Sequence, residues 1–258
     1  MSEEKRRGAG RAGARGAGAG REGAADPYRV LREQAYAANV RIVEAGLVML
    51  TWGNASAADP ERGVFAIKPS GVPYRDLGPE DMVVVAVEDG RVVDGSLKPS
   101  SDTPTHRCLY EHFEGLGGIV HTHSHFAVCF AQAERDIPCF GTTHADHFYG
   151  PVPVTRPLTQ EEITRGYEYE TGRVIVETFR DRNIDPLEVP GVLVSHHGPF
   201  SWGKTADAAA EDAIVLEEVA RMGLHTEQIR PGAPHAPQRL VDKHFQRKHG
   251  PHSYYGQG

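Results

Sequence analysis

The segment His121-Thr122-His123 places two imidazole side chains at positions i and i+2. Side chains alternate across an extended strand, so both rings of this pair point to the same side. A second pair, His196-His197, follows the apolar run Val192-Leu193-Val194 about 75 residues downstream. Catalytic zinc takes three or four nitrogen, oxygen or sulfur ligands from the protein. The pattern predicts a metal site at the ends of two strands, with one histidine of the second pair as its third ligand.

Asp102 is the candidate for a fourth ligand. It closes the sequence Ser100-Ser101-Asp102 at the start of a predicted helix, where its carboxylate would be exposed. Carboxylate oxygen binds zinc at a distance similar to that of imidazole nitrogen, so the two ligand types can share one ion. Spacing alone leaves open whether His196 or His197 joins the site, and whether Asp102 does.

Apolar runs, capping signals and turn residues predict the elements that hold these side chains. The segment 159–162 is a Thr-x-x-Glu capping box, which opens a helix, and Asp89-Gly90 between two apolar runs is a hairpin signal. The predicted strands are 47–51, 63–68, 82–87, 91–93, 118–123 and 191–196. The predicted helices begin near Asp26, Pro104, Ser124, Thr159, Thr205 and Pro237. This order predicts one α/β domain with a mostly antiparallel central β-sheet flanked by helices on both faces.

Composition restricts the class of protein. The chain has 258 residues, and no run approaches the roughly 18 apolar residues that a membrane helix needs. The N-terminus shows no apolar signal segment. The three cysteines, Cys108, Cys129 and Cys139, have the spacing of neither a disulfide framework nor a zinc knuckle. These features favour a cytoplasmic protein that does not bind membranes.

The N-terminal segment differs from the rest of the chain. Residues 1–25 contain seven Gly, seven Ala and six Lys/Arg against three Glu, a net charge of +3. Because the whole chain carries −7, residues 26–258 carry −10. Residues 1–25 show no periodic pattern of apolar residues, so we expect residues 1–26 to form a disordered extension. The acidic body argues against a nucleic-acid surface.

Eight segments, in order along the chain, match one known family. They are 50–54, 67–71, 98–106, 118–124, 141–146, 191–194, 197–203, and 242–250 with 254–257. From about residue 27 to the C-terminus, the chain resembles the L-ribulose-5-phosphate 4-epimerases of the class II aldolase family. The resemblance implies a three-layer, class II aldolase-like catalytic domain over residues 27–258.

The resemblance also assigns site residues. It implies that the metal ligands are Asp102, His121, His123 and His197, which leaves His196 without a role, and that the ion is Zn²⁺, with Mn²⁺ or Co²⁺ as substitutes. The implied substrate-binding residues are Gly53, Asn54, Lys68, Ser70, Gly71, Ser100, Ser101 and Thr142. Glycines let backbone N–H groups approach a phosphate closely, and serine and asparagine donate to it without bulk. Lys68 adds positive charge.

The implied reaction converts L-ribulose 5-phosphate to D-xylulose 5-phosphate by inverting C4, as in arabinose catabolism. C4 is not adjacent to the carbonyl, so its C–H is not acidic and simple deprotonation is unavailable. No Gly-x-Gly-x-x-Gly motif follows a predicted strand, so a nicotinamide route has no visible cofactor site. The remaining route is retro-aldol cleavage of C3–C4 and re-addition after the aldehyde rotates, with the metal stabilising the enediolate.

Two proton carriers are needed, one for each face of the aldehyde, and the resemblance places them at Asp146 and Tyr255. It further implies that Tyr255 completes the active site of a neighbouring subunit in a homotetramer. Thr142, His144 and His244 lie in matching segments and would orient these groups.

Two other functions compete with this one. A class II sugar-phosphate aldolase of the L-fuculose-phosphate type uses a glutamate where this chain has Asp102, so the aspartate favours the epimerase. A non-enzymatic, adducin-like scaffold loses the metal ligands, whereas this chain retains all four.

Overall fold

The computed structural model describes residues 26–251, 253 and 254. The predicted disordered extension, apart from Asp26, therefore lies outside the described residues, and so does the predicted proton carrier Tyr255. No helix within the described part of the chain is long and apolar enough to cross a membrane.

Seven strands form one sheet at the centre of the fold. They are β1 (Asn54–Asp59), β2 (Val64–Ile67), β3 (Val83–Ala86), β4 (Val92–Asp94), β5 (Gly118–His121), β6 (Gly191–Leu193) and β7 (Pro199–Gly203). Their order across the sheet is β4-β3-β2-β1-β5-β7-β6. Every pairing between neighbouring strands is antiparallel, which confirms the predicted sheet type.

Helices cover both faces of this sheet. They are α1 (Arg29–Glu44), α2 (Thr103–His112), α3 (His125–Gln132), α4 (Thr142–Ala145), α5 (Gln160–Asp181), α6 (Ala206–Ile229) and α7 (Gln238–His249). Val120 of β5 lies in one apolar core with Ile42 of α1 and Ala209 of α6. The preceding residue, Ile119, lies in the other core with Phe179 of α5. Because consecutive strand residues point to opposite faces, the two cores form on opposite sides of the sheet.

Local signals in the sequence predicted several elements correctly. Thr159 Oγ1 accepts a hydrogen bond from the backbone N–H of Glu162 at 3.3 Å, and Glu162 Oε2 accepts from the N–H of Thr159 at 2.7 Å. This reciprocal pair is the predicted capping box. The β3–β4 hairpin turns at Asp89-Gly90, where Gly90 has a φ of 76°. The first helix begins slightly later than predicted, at Arg29.

The predicted strand at 47–51 is wrong. The backbone N–H of Leu47 donates to the carbonyl of Ile42, and Leu50 has a φ of 57°, so the chain turns here. Leu47 packs into the core, but Met49 and Leu50 are 65% and 76% exposed, so the run does not pair within the sheet.

The predicted strand at 191–196 ends early, and β7 follows it without having been predicted. Strand β6 stops at Leu193, and the chain reverses through His196, whose φ is 58°, before entering β7. Trp202 of β7 is fully buried, with its ring 5.2 Å from those of Phe113 and Phe179. Pro199 occupies the first position of the strand, which is one of the few strand positions that tolerate proline.

Candidate metal centre and substrate pocket

Three histidines converge where β5 ends and β6 turns into β7. One ring nitrogen from each of His121, His123 and His197 lies within 4.8 Å of the others. The Nε2 atoms of His121 and His123 are 3.1 Å apart. Two nitrogens that ligate one tetrahedral zinc ion are separated by about 3.3 Å, since each Zn–N bond is about 2.0–2.1 Å long. The spacing therefore suits ligands of a shared cation.

His121 is fixed by the neighbouring strand. It pairs with Phe200 across the β5–β7 ladder, and its ring stacks on the Phe200 ring with centroids 4.2 Å apart. Its Nδ1 atom lies 3.0 Å from the carbonyl oxygen of Pro199. A carbonyl oxygen only accepts, so Nδ1 carries a hydrogen, and Nε2 is the nitrogen that a metal would bind.

His197 is oriented by a residue that sequence reasoning missed. Its Nδ1 atom lies 3.2 Å from the hydroxyl oxygen of Tyr167, which leaves Nε2 available to the cluster. Tyr167 belongs to α5 and follows Gly166, a non-helical residue inside that helix. The glycine that interrupts the helical pattern is the one local signal that could have drawn attention to Tyr167.

His196 points elsewhere. Its Nε2 atom lies 2.7 Å from a carboxylate oxygen of Glu134, and its side chain is 59% exposed. Its positive φ turns the chain so that consecutive histidines face different partners. The geometry therefore separates the downstream pair into His197 at the cluster and His196 in a surface contact with Glu134.

Burial and mutual repulsion favour neutral imidazoles in the cluster. Burial, together with the neighbouring His121 and His123, lowers the pKa of His197 to about 3. Burial and His121 also lower the pKa of His123. Metal binding requires the deprotonated imidazole, so these histidines are in the form that binds a cation at neutral pH.

Asp102 lies immediately before α2 and lines the same cavity as the histidines, which has a volume of about 400 Å³. Its Oδ2 atom accepts a hydrogen bond of 2.6 Å from the amide of Asn54. Burial alone would raise the pKa of Asp102, but His121, His106 and the Asn54 amide outweigh it and lower the pKa. The carboxylate is thus ionised and held beside the cluster, although it is not one of the three residues whose ligand atoms already meet.

His106 stands behind Asp102 and was not predicted as a site residue. It is fully buried, its Nδ1 atom lies 2.8 Å from the hydroxyl of Ser56, and burial lowers its pKa to about 3. Its Nε2 atom has no hydrogen-bond partner among the described residues. The Asn54 Oδ1 atom is likewise buried and without a partner there. Such orphaned atoms mark a polar site that a ligand can complete.

The donor set fits a divalent transition metal. Three imidazoles and one ionised carboxylate match the nitrogen and oxygen ligands that zinc uses in catalytic sites. Other first-row divalent ions accept the same ligands, so the residues do not select zinc alone.

The cavity beside the histidines contains most of the predicted substrate-binding residues. Those that line it are Gly53, Asn54, Lys68, Ser70, Gly71, Ser100 and Ser101. Thr51, Trp52, Tyr167 and Glu168 also line it and were not predicted. Thr142 instead lines a second cavity, between α6 and the segment 138–144. The structure thus brings together all of the predicted pocket residues except Thr142.

A glycine and a buried lysine, Gly53 and Lys68, both line this pocket. A Cβ atom added at Gly53, where φ is 92°, would lie 2.8 Å from the carbonyl oxygen of His121, so only glycine fits beside the His121 backbone. Two backbone hydrogen bonds join the loops around Ser70 and Ser100: the Ser70 N–H donates to the Lys98 carbonyl, and the Ser100 N–H donates to the Lys68 carbonyl.

Lys68 is buried, and burial lowers its pKa from the ordinary lysine value. The Lys68 ammonium donates to the carbonyl oxygen of Pro69 at 3.2 Å and lies 4.7 Å from the centre of the Tyr74 ring. A lysine in a pocket that also contains serine hydroxyls is suited to a phosphate.

Asp146 lies apart from this pocket within the single chain. It follows α4 and contacts α7, where His244 Nδ1 is 3.0 Å and Arg247 Nη2 is 2.9 Å from its carboxylate oxygens. Burial opposes ionisation, but the hydrogen bonds from Arg247 and His244 outweigh it and lower the pKa of Asp146. The carboxylate is therefore ionised and firmly oriented against α7, the helix that precedes Tyr255 in the sequence.

Comparison with known proteins agrees with this geometry. Residues 33–224 match the family model for the class II aldolase and adducin N-terminal domain. The chain is 52% identical over 227 residues to the L-ribulose-5-phosphate 4-epimerase UlaF of Salmonella paratyphi A (strain ATCC 9150 / SARB42), covering 88% of this chain and 98% of that protein. It is 51% identical over 227 residues to the protein of the same name from Salmonella paratyphi B (strain ATCC BAA-1250 / SPB7), with the same coverage.

Solved structures share the fold at lower identity. An L-fuculose 1-phosphate aldolase aligns with a TM-score of 0.71 at 21% identity, covering 84% of this chain and 95% of that one. The L-fuculose-1-phosphate aldolase of Thermus thermophilus aligns with a TM-score of 0.61 at 23% identity, covering 80% and 98%. The fold, the histidine cluster and the close relatives together show that the chain belongs to the class II aldolase family, among the L-ribulose-5-phosphate 4-epimerases.

Proposed function

We propose that this protein is a metal-dependent epimerase that converts L-ribulose 5-phosphate to D-xylulose 5-phosphate by inverting C4. The observation that carries the proposal is the position of the histidine cluster, which opens onto a cavity lined by serine, glycine and a buried lysine. A metal next to a phosphate-sized polar pocket suits a phosphorylated sugar. The relatives that share about half of the sequence carry the name of this activity.

The residues divide between binding and chemistry. Lys68, Ser70 and Ser100 would hold the substrate phosphate, with the turn at Gly71 allowing backbone N–H groups to approach. When bound to His121, His123, His197 and Asp102, a divalent ion would supply Lewis-acid stabilisation of the negative charge that develops when C3–C4 breaks. Asn54 keeps the Asp102 carboxylate oriented through its 2.6 Å hydrogen bond. We propose Zn²⁺ as this ion, with Mn²⁺ or Co²⁺ able to replace it.

Proton transfer to and from the aldehyde oxygen requires two further groups, for which we propose Asp146 and Tyr255. Asp146 is ionised, so it begins as a proton acceptor. Because Asp146 is not among the residues lining the pocket of its own chain, we propose that it and Tyr255 enter the pocket of a neighbouring copy in a homotetramer. Each active site would then be incomplete in an isolated subunit.

A coupled assay for D-xylulose 5-phosphate tests the proposal directly. Purified protein is given L-ribulose 5-phosphate with and without a chelator, and L-fuculose 1-phosphate is the comparison substrate. We expect epimerisation that the chelator abolishes and that added Zn²⁺, Mn²⁺ or Co²⁺ restores. Faster cleavage of L-fuculose 1-phosphate than epimerisation would identify an aldolase instead. Absence of both reactions, with less than about 0.2 metal ions per subunit, would favour a scaffold that has no catalytic role.

A further inference from the structure

Helix α7 is attached to the rest of the molecule through a cluster of polar side chains next to Asp146. We call His147, Asp212 and Lys248 the α7 bridge. The Nδ1 atom of His147 lies 3.2 Å from Asp212 Oδ1 on α6, and its Nε2 atom lies 2.8 Å from the Lys248 ammonium on α7. The side chains of His147, Asp212 and Lys248 are 14%, 15% and 23% exposed, so the bridge is largely shielded from water.

The two contacts of His147 determine its form. A lysine ammonium only donates, so Nε2 must carry a lone pair, and Nδ1 must then carry the hydrogen that is donated to Asp212. A doubly protonated ring would direct an N–H group at the ammonium and repel it. The observed geometry therefore requires a neutral ring with its hydrogen on Nδ1.

Other charged groups surround the bridge. Glu211 of α6 lies 3.8 Å from the Lys248 ammonium. His249 and His144 also interact electrostatically with His147. Asp212 is buried enough that desolvation raises its pKa, while His147 and Lys248 oppose that rise. A buried carboxylate depends on such donors, because removing its partner leaves an uncompensated charge in a medium that solvates it poorly.

The same helix also positions the chain neighbour of His147. His244 and Arg247 of α7 donate to the carboxylate of Asp146, and His249 Nε2 lies 2.8 Å from its backbone carbonyl oxygen. The position of Asp146 therefore depends on how α7 is seated. Within the described part of the chain, His147 links α7 to α6 through a continuous chain of hydrogen bonds.

We propose that His147 is a positioning residue: its neutral imidazole bridges Asp212 on α6 and Lys248 on α7, and thereby sets the position at which α7 holds Asp146. The inference rests on the proposed function in one respect, namely that Asp146 carries a proton in the reaction. His147 itself does not contact the substrate pocket, so its effect is exerted through α7 and Asp146.

Two substitutions at His147 distinguish a hydrogen-bonding role between the two helices from a role in packing alone. His147→Phe keeps an aromatic ring beside Phe148 but removes both hydrogen bonds. His147→Gln supplies an amide that can donate to Asp212 and a carbonyl oxygen that can accept from Lys248. His225→Phe, at a histidine of α6 that contacts Gln228 on the surface, is the matched control.

We expect His147→Phe to lower kcat by about 10- to 100-fold, because a small displacement of a proton carrier is costly. KM and the metal content per subunit should remain within about two-fold, because the pocket is untouched, and His147→Gln should recover most of kcat. His225→Phe should match the wild type. A wild-type kcat in His147→Phe, or an equal loss in His147→Gln, would overturn the proposal.

Two readouts do not depend on turnover. Nitrogen-15 NMR of labelled histidine should show His147 as a neutral ring protonated on Nδ1, and hydrogen exchange across residues 238–249 should accelerate in His147→Phe but not in His147→Gln. A doubly protonated His147 ring in the NMR spectrum would overturn the proposal, even if the enzyme is fully active. Hydrogen exchange of residues 238–249 that is the same in His147→Phe as in the wild type would also overturn it. If the wild type lacks epimerase activity while both readouts are as expected, the proposed function fails and the bridge stands.

Discussion

The Nδ1 atom of His121 lies 3.0 Å from the carbonyl oxygen of Pro199, across the β5–β7 pair. This hydrogen bond ties the first metal-ligand candidate to the strand that begins two residues after His197. It holds the His121 ring so that its Nε2 atom lies 3.1 Å from the Nε2 atom of His123. The sheet thus does more than bring the candidate ligands close, because it also selects the nitrogen atom that His121 can offer.

The adjacent histidines of the β6–β7 turn offer a matched pair of substitutions. His197→Ala should reduce bound metal from about one ion per subunit to less than about 0.2 and should abolish epimerisation, because the cluster loses one of three imidazoles. His196→Ala removes only an exposed contact with Glu134 and should keep both metal and activity. Metal analysis by mass spectrometry and the coupled assay measure the two effects. Equal metal loss in both variants would contradict the assignment.

Tyr167 should act through the metal ligand it contacts. Tyr167→Phe removes the hydroxyl that lies 3.2 Å from His197 Nδ1. Loss of such an outer partner typically weakens metal affinity by about 10- to 100-fold. Competition with a chromogenic chelator would measure the change. Tyr169→Phe, on the same helix but directed at Glu111, is the control and should bind metal like the wild type.

Tyr255 is predicted to carry a proton and to have no part in metal binding. Tyr255→Phe removes only the phenolic hydroxyl, so metal content and circular dichroism should be unchanged while epimerisation falls by about 100-fold or more. The neighbouring Tyr254→Phe is the control and should retain turnover. Near-normal turnover in Tyr255→Phe would remove that residue from the mechanism.

Acid should destabilise the fold through its buried histidines. Burial lowers the pKa of His144 to about 4, whereas a histidine in an unfolded chain titrates near 6.5. Between these values the unfolded chain binds a proton that the folded protein does not. The contribution of His144 is therefore complete above about pH 6.5 and falls as the pH drops toward 4.

Urea unfolding at several pH values measures this effect. In His144→Gln, the fall in unfolding free energy per pH unit below about 6 should be smaller than in the wild type by up to about 1.4 kcal/mol. His225→Gln, at a surface histidine, should keep the wild-type slope. An unchanged slope in His144→Gln would mean that His144 is not held neutral in the folded state.

Much of the fold followed from local chemistry in the chain. Thr159 and Glu162 form the predicted capping box because both partners lie within one turn of helix. The Asp89-Gly90 hairpin forms because glycine adopts the positive φ that the turn requires. The apolar run at 47–51 misled the strand prediction, since its composition suits a sheet but Leu50 faces outward.

The sequence by itself determined the i, i+2 histidine pair, the candidate metal-ligand types and, through resemblance, the family and the epimerase class of the protein. Only the tertiary structure decided that His196 turns to Glu134, that Tyr167 orients His197, and that His147 joins α6 to α7. These contacts depend on side chains that are distant along the chain or on a single backbone reversal. Local propensity and residue spacing do not predict which residues each side chain contacts across the fold. Those contacts depend on how the helices and strands pack against one another.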